Sequence, residues 1–137
     1  MHVTMTPELY WLVLTTAMTG LLWVPYIVNR VIELGPPTIA WFPPPDPPQK
    51  APWAARAVRA HLNAVENLVI FAPLALAVHM TGKGTQTTAA ACIIYFFARA
   101  THFLVCVFGF PIIPRTIAFL VGVAVQITLA ITLLAAA

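Results

Sequence analysis

Four long apolar stretches constrain the fold of this chain more than any other feature of its sequence. They cover about residues 7–30, 52–80, 86–108 and 114–137, and an α-helix needs roughly 20 such residues to cross a bilayer. Only 8% of the 137 residues are charged, whereas about a quarter are charged in a typical soluble domain. We therefore predict an all-α integral membrane four-helix bundle that forms a single domain over residues 1–137.

Prolines punctuate these four spans. Pro7 and Pro114 suit the first turn of a helix, and Pro25 predicts a kink inside the first span. The loop of about residues 35–52 is too rich in proline for a helix and predicts a stiff, extended connector. This connector is either a linker or a cap over a site.

The basic residues predict an orientation in the membrane. Five of them lie near the face that holds the first and third connectors: Arg30, Lys50, Arg56, Arg59 and Arg115. The opposite face has only Lys83. Because basic residues accumulate on the cytoplasmic side, we expect this face in the cytoplasm of a bacterial inner membrane and both termini outside.

Polar side chains form one stripe on the second span and another on the third. The second span carries Arg56, Arg59, Asn63 and Glu66 at intervals of 3, 4 and 3 residues. They occupy a sector of about 80° on a helix. The third span carries Tyr95, Arg99, His102 and Cys106 at intervals of 4, 3 and 4. Each stripe is expected to face the interior of the bundle.

Arg99 is predicted to lie about 13 Å from the nearer end of its helix. At that depth it must face protein or water, because exposure to lipid costs several kcal/mol. Glu66 lies at a comparable depth on the antiparallel neighbour and is the only acidic residue deep within a span. We expect the two residues to pair, either as structural contact between helices or as part of a binding site.

Five cationic or titratable side chains gather towards one membrane face: Arg30, Arg56, Arg59, His102 and Arg115. They are either topology anchors that reach the interface or a pocket for an anionic, carboxylate-bearing ligand. The sequence has no metal-binding motif, no serine and no basic run typical of nucleic-acid binding. Cys92 and Cys106 lie about 21 Å apart along one helix, too far for a disulfide between them.

Two segments, "RAHLNAVENLVIFAPL" and "ARATHFLVCVFGFPIIPRT", together with the four-span layout, resemble the MAPEG family (membrane-associated proteins in eicosanoid and glutathione metabolism), in particular its short bacterial members. The resemblance covers nearly the whole chain. It implies a homotrimer with glutathione, a co-substrate, bound between neighbouring subunits on the cytoplasmic side. A hydrophobic small molecule or lipid would enter that site from the bilayer.

The resemblance also implies roles for particular residues. Its glutathione-binding positions match Arg59, Asn63, Glu66, Arg99 and His102, with Thr116 at an adjacent hydroxyl position and Arg30 near the end of the first span. Arg56 joins this set because it shares the stripe of the second span. Arg115 matches the catalytic arginine, which stabilises the glutathione thiolate because a nearby cation favours the charged form.

Three positions depart from the family's pattern. Leu62 stands in place of an arginine, and Cys106 and Phe119 stand in place of tyrosines. The first hypothesis is a glutathione-dependent transferase or peroxidase that acts on hydrophobic electrophiles or lipid hydroperoxides. The second is a non-catalytic protein that binds a lipid or fatty acid, which the more apolar pocket favours. A small transporter or structural subunit has the least support, because no pair of broken helices marks a transport site.

Overall fold

The computed structural model describes residues 4–37 and 47–135. These residues contain no strand and form five α-helices: α1 (Pro7–Leu21), α2 (Val24–Leu34), α3 (Pro52–Thr81), α4 (Gln86–Val107) and α5 (Ile112–Ala135). α1 and α2 together make one span, so four helical segments are long and apolar enough to cross a membrane. The prediction of an all-α, four-span membrane fold is confirmed.

The helix ends follow from local chemistry. Thr6 caps α1 by accepting a hydrogen bond from Leu9 N at 3.4 Å, and Pro7 follows in the first turn, where a missing N–H costs nothing. The first span breaks between Leu21 and Val24, one residue before Pro25, as the predicted kink requires. α2 then continues to Leu34, four residues beyond the predicted end of the first span.

α5 begins at Ile112, two residues before the predicted start at Pro114, because proline is tolerated within a first turn. α3 and α4 start at Pro52 and Gln86, as the spacing predicts. Of the predicted proline-rich loop, residues 38–46 lie outside the described residues, as do residues 136–137 of the fourth span. Whether the loop caps a site therefore stays a prediction.

The centre of the bundle is formed by α1, α3, α4 and α5. Phe71 of α3 stacks on Tyr95 of α4 with ring centroids 3.7 Å apart, and both side chains are fully buried. Nearer the end that carries the cationic residues, α3 presents Ala57 and Ala60 to Phe103. Small residues at that contact let α3 and α4 approach closely.

A polar network fixes the start of α3 against α2. The Glu33 carboxylate accepts hydrogen bonds from Ala51 N at 2.9 Å and Lys50 N at 3.0 Å. Asn29 donates to Glu33 at 2.7 Å and to Gln49 at 2.9 Å. Glu33 therefore supplies the negative charge that a helix N-terminus favours. It holds in place the helix that carries the polar stripe.

Candidate functional site

A cavity of about 500 Å³ opens between the first turns of α3, the end of α4 and the start of α5. Its size is within the range of small-molecule sites, about 300–1,000 Å³. The lining includes five of the residues predicted to bind a ligand or to act in catalysis: Arg56, Arg59, Asn63, His102 and Arg115. Cys106 lines it as well. Of the described residues around the cavity, three are arginines and none is acidic.

Helix geometry brings these side chains together. The spacing of Arg56, Arg59 and Asn63 places them along one side of α3. His102 and Cys106 are one turn apart on antiparallel α4, at its end nearest the start of α3. The short turn after α4, with Gly109 at φ +75°, then returns the chain so that α5 begins beside the cavity.

Arg56 is a structural link as well as a lining residue. Its Nε donates to Cys106 O and Val107 O at 3.1 Å each, and its Nη2 donates to Val107 O at 2.9 Å. These carbonyls belong to the last two residues of α4, and Cys106 O also accepts a hydrogen bond from Gly109 N at 3.1 Å. The guanidinium therefore caps α4 and ties it to α3 at the floor of the cavity.

His102 and Cys106 form a side-chain pair inside the cavity. The Cys106 Sγ lies 3.7 Å from His102 Nε2 and 4.0 Å from Nδ1. The two residues are 9% and 6% exposed, respectively. The sequence places Cys106 on the stripe of the third span, four residues after His102, and this spacing is the signal that a pair forms.

Arg99 lies one turn deeper than His102 and is 2% exposed. Its Nη2 donates to Phe119 O at 3.0 Å, and its Cζ lies 5.2 Å from the Tyr95 ring centroid and 5.4 Å from that of Phe119. Its Nε and Nη1 have no hydrogen-bond partner among the described residues. The Arg99 side chain therefore packs between its own helix, α4, and the neighbouring α5, and it does not point towards α3.

The predicted pair between Arg99 and Glu66 is wrong for the single subunit, because Glu66 is exposed. The stripe covers a sector of about 80° on α3, and this sector extends from the side that faces the bundle to the side that is exposed. Glu66 lies at its outer edge, whereas Asn67, one residue further, is buried. Asn67 donates to Asn63 O at 2.9 Å and accepts at its own carbonyl from Gln126 at 3.1 Å. Asn67 is thus the residue that continues the stripe inward.

Three further predicted residues do not line the cavity. Arg30 is half-buried on α2, and Arg99 lies below the cavity, as described. Thr116 is exposed, and its hydroxyl donates to Ile112 O within α5 at 2.9 Å. Arg59 and Arg115 do line the cavity, and both are exposed at its mouth.

His61 lies outside the stripe, where its Nδ1 is 2.9 Å from the hydroxyl of Tyr26 in α2. Among the described residues, no group of three His, Cys, Asp or Glu side chains is placed to hold a metal ion.

Four apolar spans with a cation-lined cavity at one end define an integral membrane helical bundle that has a candidate site for an anionic ligand. A family model for the MAPEG family matches residues 9–135, nearly the whole chain. The chain belongs to the MAPEG family, and membership indicates a membrane protein of a broadly glutathione-related kind. No curated protein and no solved structure matches the chain significantly.

Proposed function

We propose that the protein is a membrane-bound glutathione-dependent transferase or peroxidase that acts on hydrophobic electrophiles or lipid hydroperoxides. The observation that carries this proposal is the cavity of about 500 Å³, lined by three arginines and by no acidic residue among those described. Glutathione carries two carboxylates and a thiol. An arginine fork is the side chain best suited to bind a carboxylate.

The exposed guanidinium of Arg59 would bind one glutathione carboxylate at the mouth of the cavity. Arg56 lies beside it with its charge fixed at the end of α4. Asn63 Oδ1 is buried and has no hydrogen-bond partner among the described residues. Because an unsatisfied buried acceptor costs about 1–3 kcal/mol, an N–H of the ligand backbone would stabilise the complex there.

Arg115 would stabilise the glutathione thiolate. It stands in the first turn of α5, so its own charge and the positive end of the helix dipole act together. The thiolate sulfur then forms a bond to the electrophilic carbon of the second substrate. The thiol proton passes to the leaving group or to the carbanion that the addition creates.

The second substrate would approach along the outer surface of the bundle. An open apolar groove of about 520 Å³ runs between α4 and α5. Val105 and Pro114 line this groove. Val105 is next to Cys106 in sequence and Pro114 is next to Arg115, and both of these neighbours line the cavity. A hydrophobic molecule dissolved in the bilayer would therefore reach the thiolate from the membrane side.

We propose in addition that the functional unit is a homotrimer with the site on the cytoplasmic face. Arg59, Glu66, Arg115 and Thr116 are exposed in the single subunit, so a neighbour would complete the wall they leave open. Glu66 would then accept from the glutathione amine, with Arg30 and Arg99 contributing charge from α2 and α4. The mass of the protein–detergent complex tests this assembly, and a monomer would refute it.

The central test is glutathione binding with thiolate formation. Purified protein mixed with glutathione near neutral pH should show the ultraviolet absorbance of a thiolate, and Arg115→Ala should abolish it. Arg59→Ala removes a charged hydrogen bond worth about 1.5–3 kcal/mol and should weaken binding roughly 10- to 100-fold in equilibrium dialysis. The control is Lys50→Ala, because that side chain is exposed and does not line the cavity. Absence of both binding and absorbance would refute the proposal.

A non-catalytic lipid- or fatty-acid-binding function is the second candidate. It is supported by the apolar groove and by the apolar side chains of Leu62 and Phe119, the positions at which the family resemblance implies polar ones. Mass spectrometry of the lipids that co-purify with the protein tests this lipid-binding function. Tight lipid retention without glutathione binding would favour this function over the enzyme.

A further inference from the structure

The cavity contains a nucleophilic side chain that the glutathione proposal does not use. Cys106 is the one cysteine of the described chain that lines it, with its Sγ 3.7 Å from His102 Nε2. The other cysteine, Cys92, is fully buried in the apolar core with Phe71 and Leu129. The two thiols of one helix therefore have different environments, and one of them faces a ligand-sized space.

Three features distinguish the Cys106 position from that of an inert core thiol. An imidazole nitrogen, His102 Nε2, stands 3.7 Å from the sulfur, within hydrogen-bonding distance. The Arg56 guanidinium donates to the Cys106 carbonyl at 3.1 Å, and this bond fixes a cation next to Cys106. Arg59 and Arg115 line the same cavity. Three guanidiniums therefore surround the cavity that this thiol lines.

We propose that Cys106 is a catalytic thiol that reduces hydroperoxides and is regenerated by glutathione. The proposal rests on glutathione as the ligand of the cavity. It goes beyond the thiolate chemistry of Arg115, because the oxidised sulfur would be the protein's own. The substrate class is an organic hydroperoxide of a hydrophobic molecule, which the neighbouring groove between α4 and α5 suits.

The first step oxidises the protein. His102 takes the thiol proton, and Cys106 Sγ attacks the terminal oxygen of the hydroperoxide. An S–O bond forms as the O–O bond breaks, and the departing alkoxide takes the proton back to become an alcohol. The sulfur loses two electrons to the peroxide and becomes a sulfenic acid.

Two molecules of glutathione return the thiol. The first attacks the sulfenic sulfur, so that an S–S bond forms, the S–O bond breaks and hydroxide leaves with the glutathione proton as water. The second attacks this mixed disulfide on the glutathione sulfur, releases glutathione disulfide and leaves Cys106 reduced. The balance is one hydroperoxide and two glutathiones converted into one alcohol, one water and one glutathione disulfide.

The test begins with the unmodified protein in detergent. Cumene hydroperoxide is added together with dimedone, which traps sulfenic acids, and the adduct is located by peptide mass mapping. We expect dimedone on Cys106 and none on Cys92. With a single equivalent of glutathione in place of dimedone, so that the second step is limited, the same peptide should carry one glutathione in disulfide linkage.

Matched variants then connect this modification to turnover. Cys106→Ser should lose peroxidase activity while it still binds glutathione in equilibrium dialysis, and Cys92→Ser should keep the wild-type rate. His102→Gln should slow dimedone labelling at neutral pH and recover it at high pH, where the thiolate forms without an assisting base. A merely structural histidine would give no such recovery.

The outcomes separate this inference from the proposed function. Glutathione binding with an unmodified Cys106 and full activity of Cys106→Ser would overturn the inference and leave the proposed function intact. Loss of all glutathione binding in the wild type would instead refute the proposed function. Labelling of both cysteines to the same extent would also overturn the inference, because it would reflect non-specific oxidation.

Discussion

Replacing Gly122 with alanine tests the position of Arg99 more directly than any change to Arg99 itself. Gly122 is buried in α5, and a Cβ built there would stand 2.6 Å from Arg99 Cζ and 2.7 Å from Arg99 Nε. Real Cβ atoms do not approach heavy atoms that closely. Arg99 is only 2% exposed, so its guanidinium has little space in which to move away.

The magnitude follows from three contributions. Alanine is favoured over glycine inside a helix by about 0.5–1 kcal/mol. Against this, overpacking a tight contact costs about 1–3 kcal/mol. Moving the guanidinium also breaks the 3.0 Å hydrogen bond from Nη2 to Phe119 O, and hydrogen bonds of charged groups contribute about 1.5–3 kcal/mol. We expect Gly122→Ala to lower the free energy of unfolding by about 2–4 kcal/mol.

The assay is unfolding of the purified protein by sodium dodecyl sulfate in mixed micelles, followed by circular dichroism. Gly20→Ala is the matched control, because Gly20 is also a helix residue and has nothing within 4 Å of its would-be Cβ. It should raise stability by about 0.5–1 kcal/mol. In an Arg99→Met background the cost of Gly122→Ala should largely disappear, since the effects of substitutions at contacting residues are not additive. Equal stability of Gly122→Ala and wild type would refute the position assigned to Arg99.

Two further changes test the links that hold α3. Glu33→Gln leaves one of the Lys50 and Ala51 amides without an acceptor, so stability should fall by about 1–3 kcal/mol. The segment that contains these amides should also exchange faster by hydrogen–deuterium mass spectrometry, whereas Glu66→Gln, on the surface, should leave its exchange unchanged. Arg56→Lys keeps the charge but loses the fork that binds Cys106 O and Val107 O. It should lower stability by about 1–2 kcal/mol in the same micelle assay, and unaltered stability would show that the α4 cap is energetically minor.

The apolar spans and the break near Pro25 are predictable from sequence because each depends on a local property. A helix must satisfy its own backbone within the bilayer, so the length of an apolar run is enough to locate a span. Proline marks a break wherever it falls, through its missing N–H. Likewise, the stripe of Arg56, Arg59 and Asn63 is a property of one helix, and these residues do meet at the cavity.

The partners of Arg56 and Arg99 were not predictable in this way. Both guanidiniums bind backbone carbonyls, those of Cys106, Val107 and Phe119. Every residue carries a carbonyl, so sequence spacing gives no signal for such a contact. Pairing by charge alone therefore selected Glu66. Glu66 is exposed, whereas Asn67, the next residue along α3, is buried.

Buried polar atoms beside and below the cavity bear on the choice between enzyme and lipid-binding protein. Asn63 Oδ1 and the Nε and Nη1 of Arg99 have no hydrogen-bond partner among the described residues. Tyr95 and Arg99 follow His102 inward along α4, so polar groups continue from the cavity into the bundle. Each such group costs free energy in an apolar interior unless it is satisfied. Of these residues only Asn63 lines the cavity among the described residues, and an acyl chain offers its Oδ1 no hydrogen bond, whereas a peptide thiol brings amide N–H groups. This one buried acceptor therefore supports the proposed glutathione site over a purely lipid-binding one.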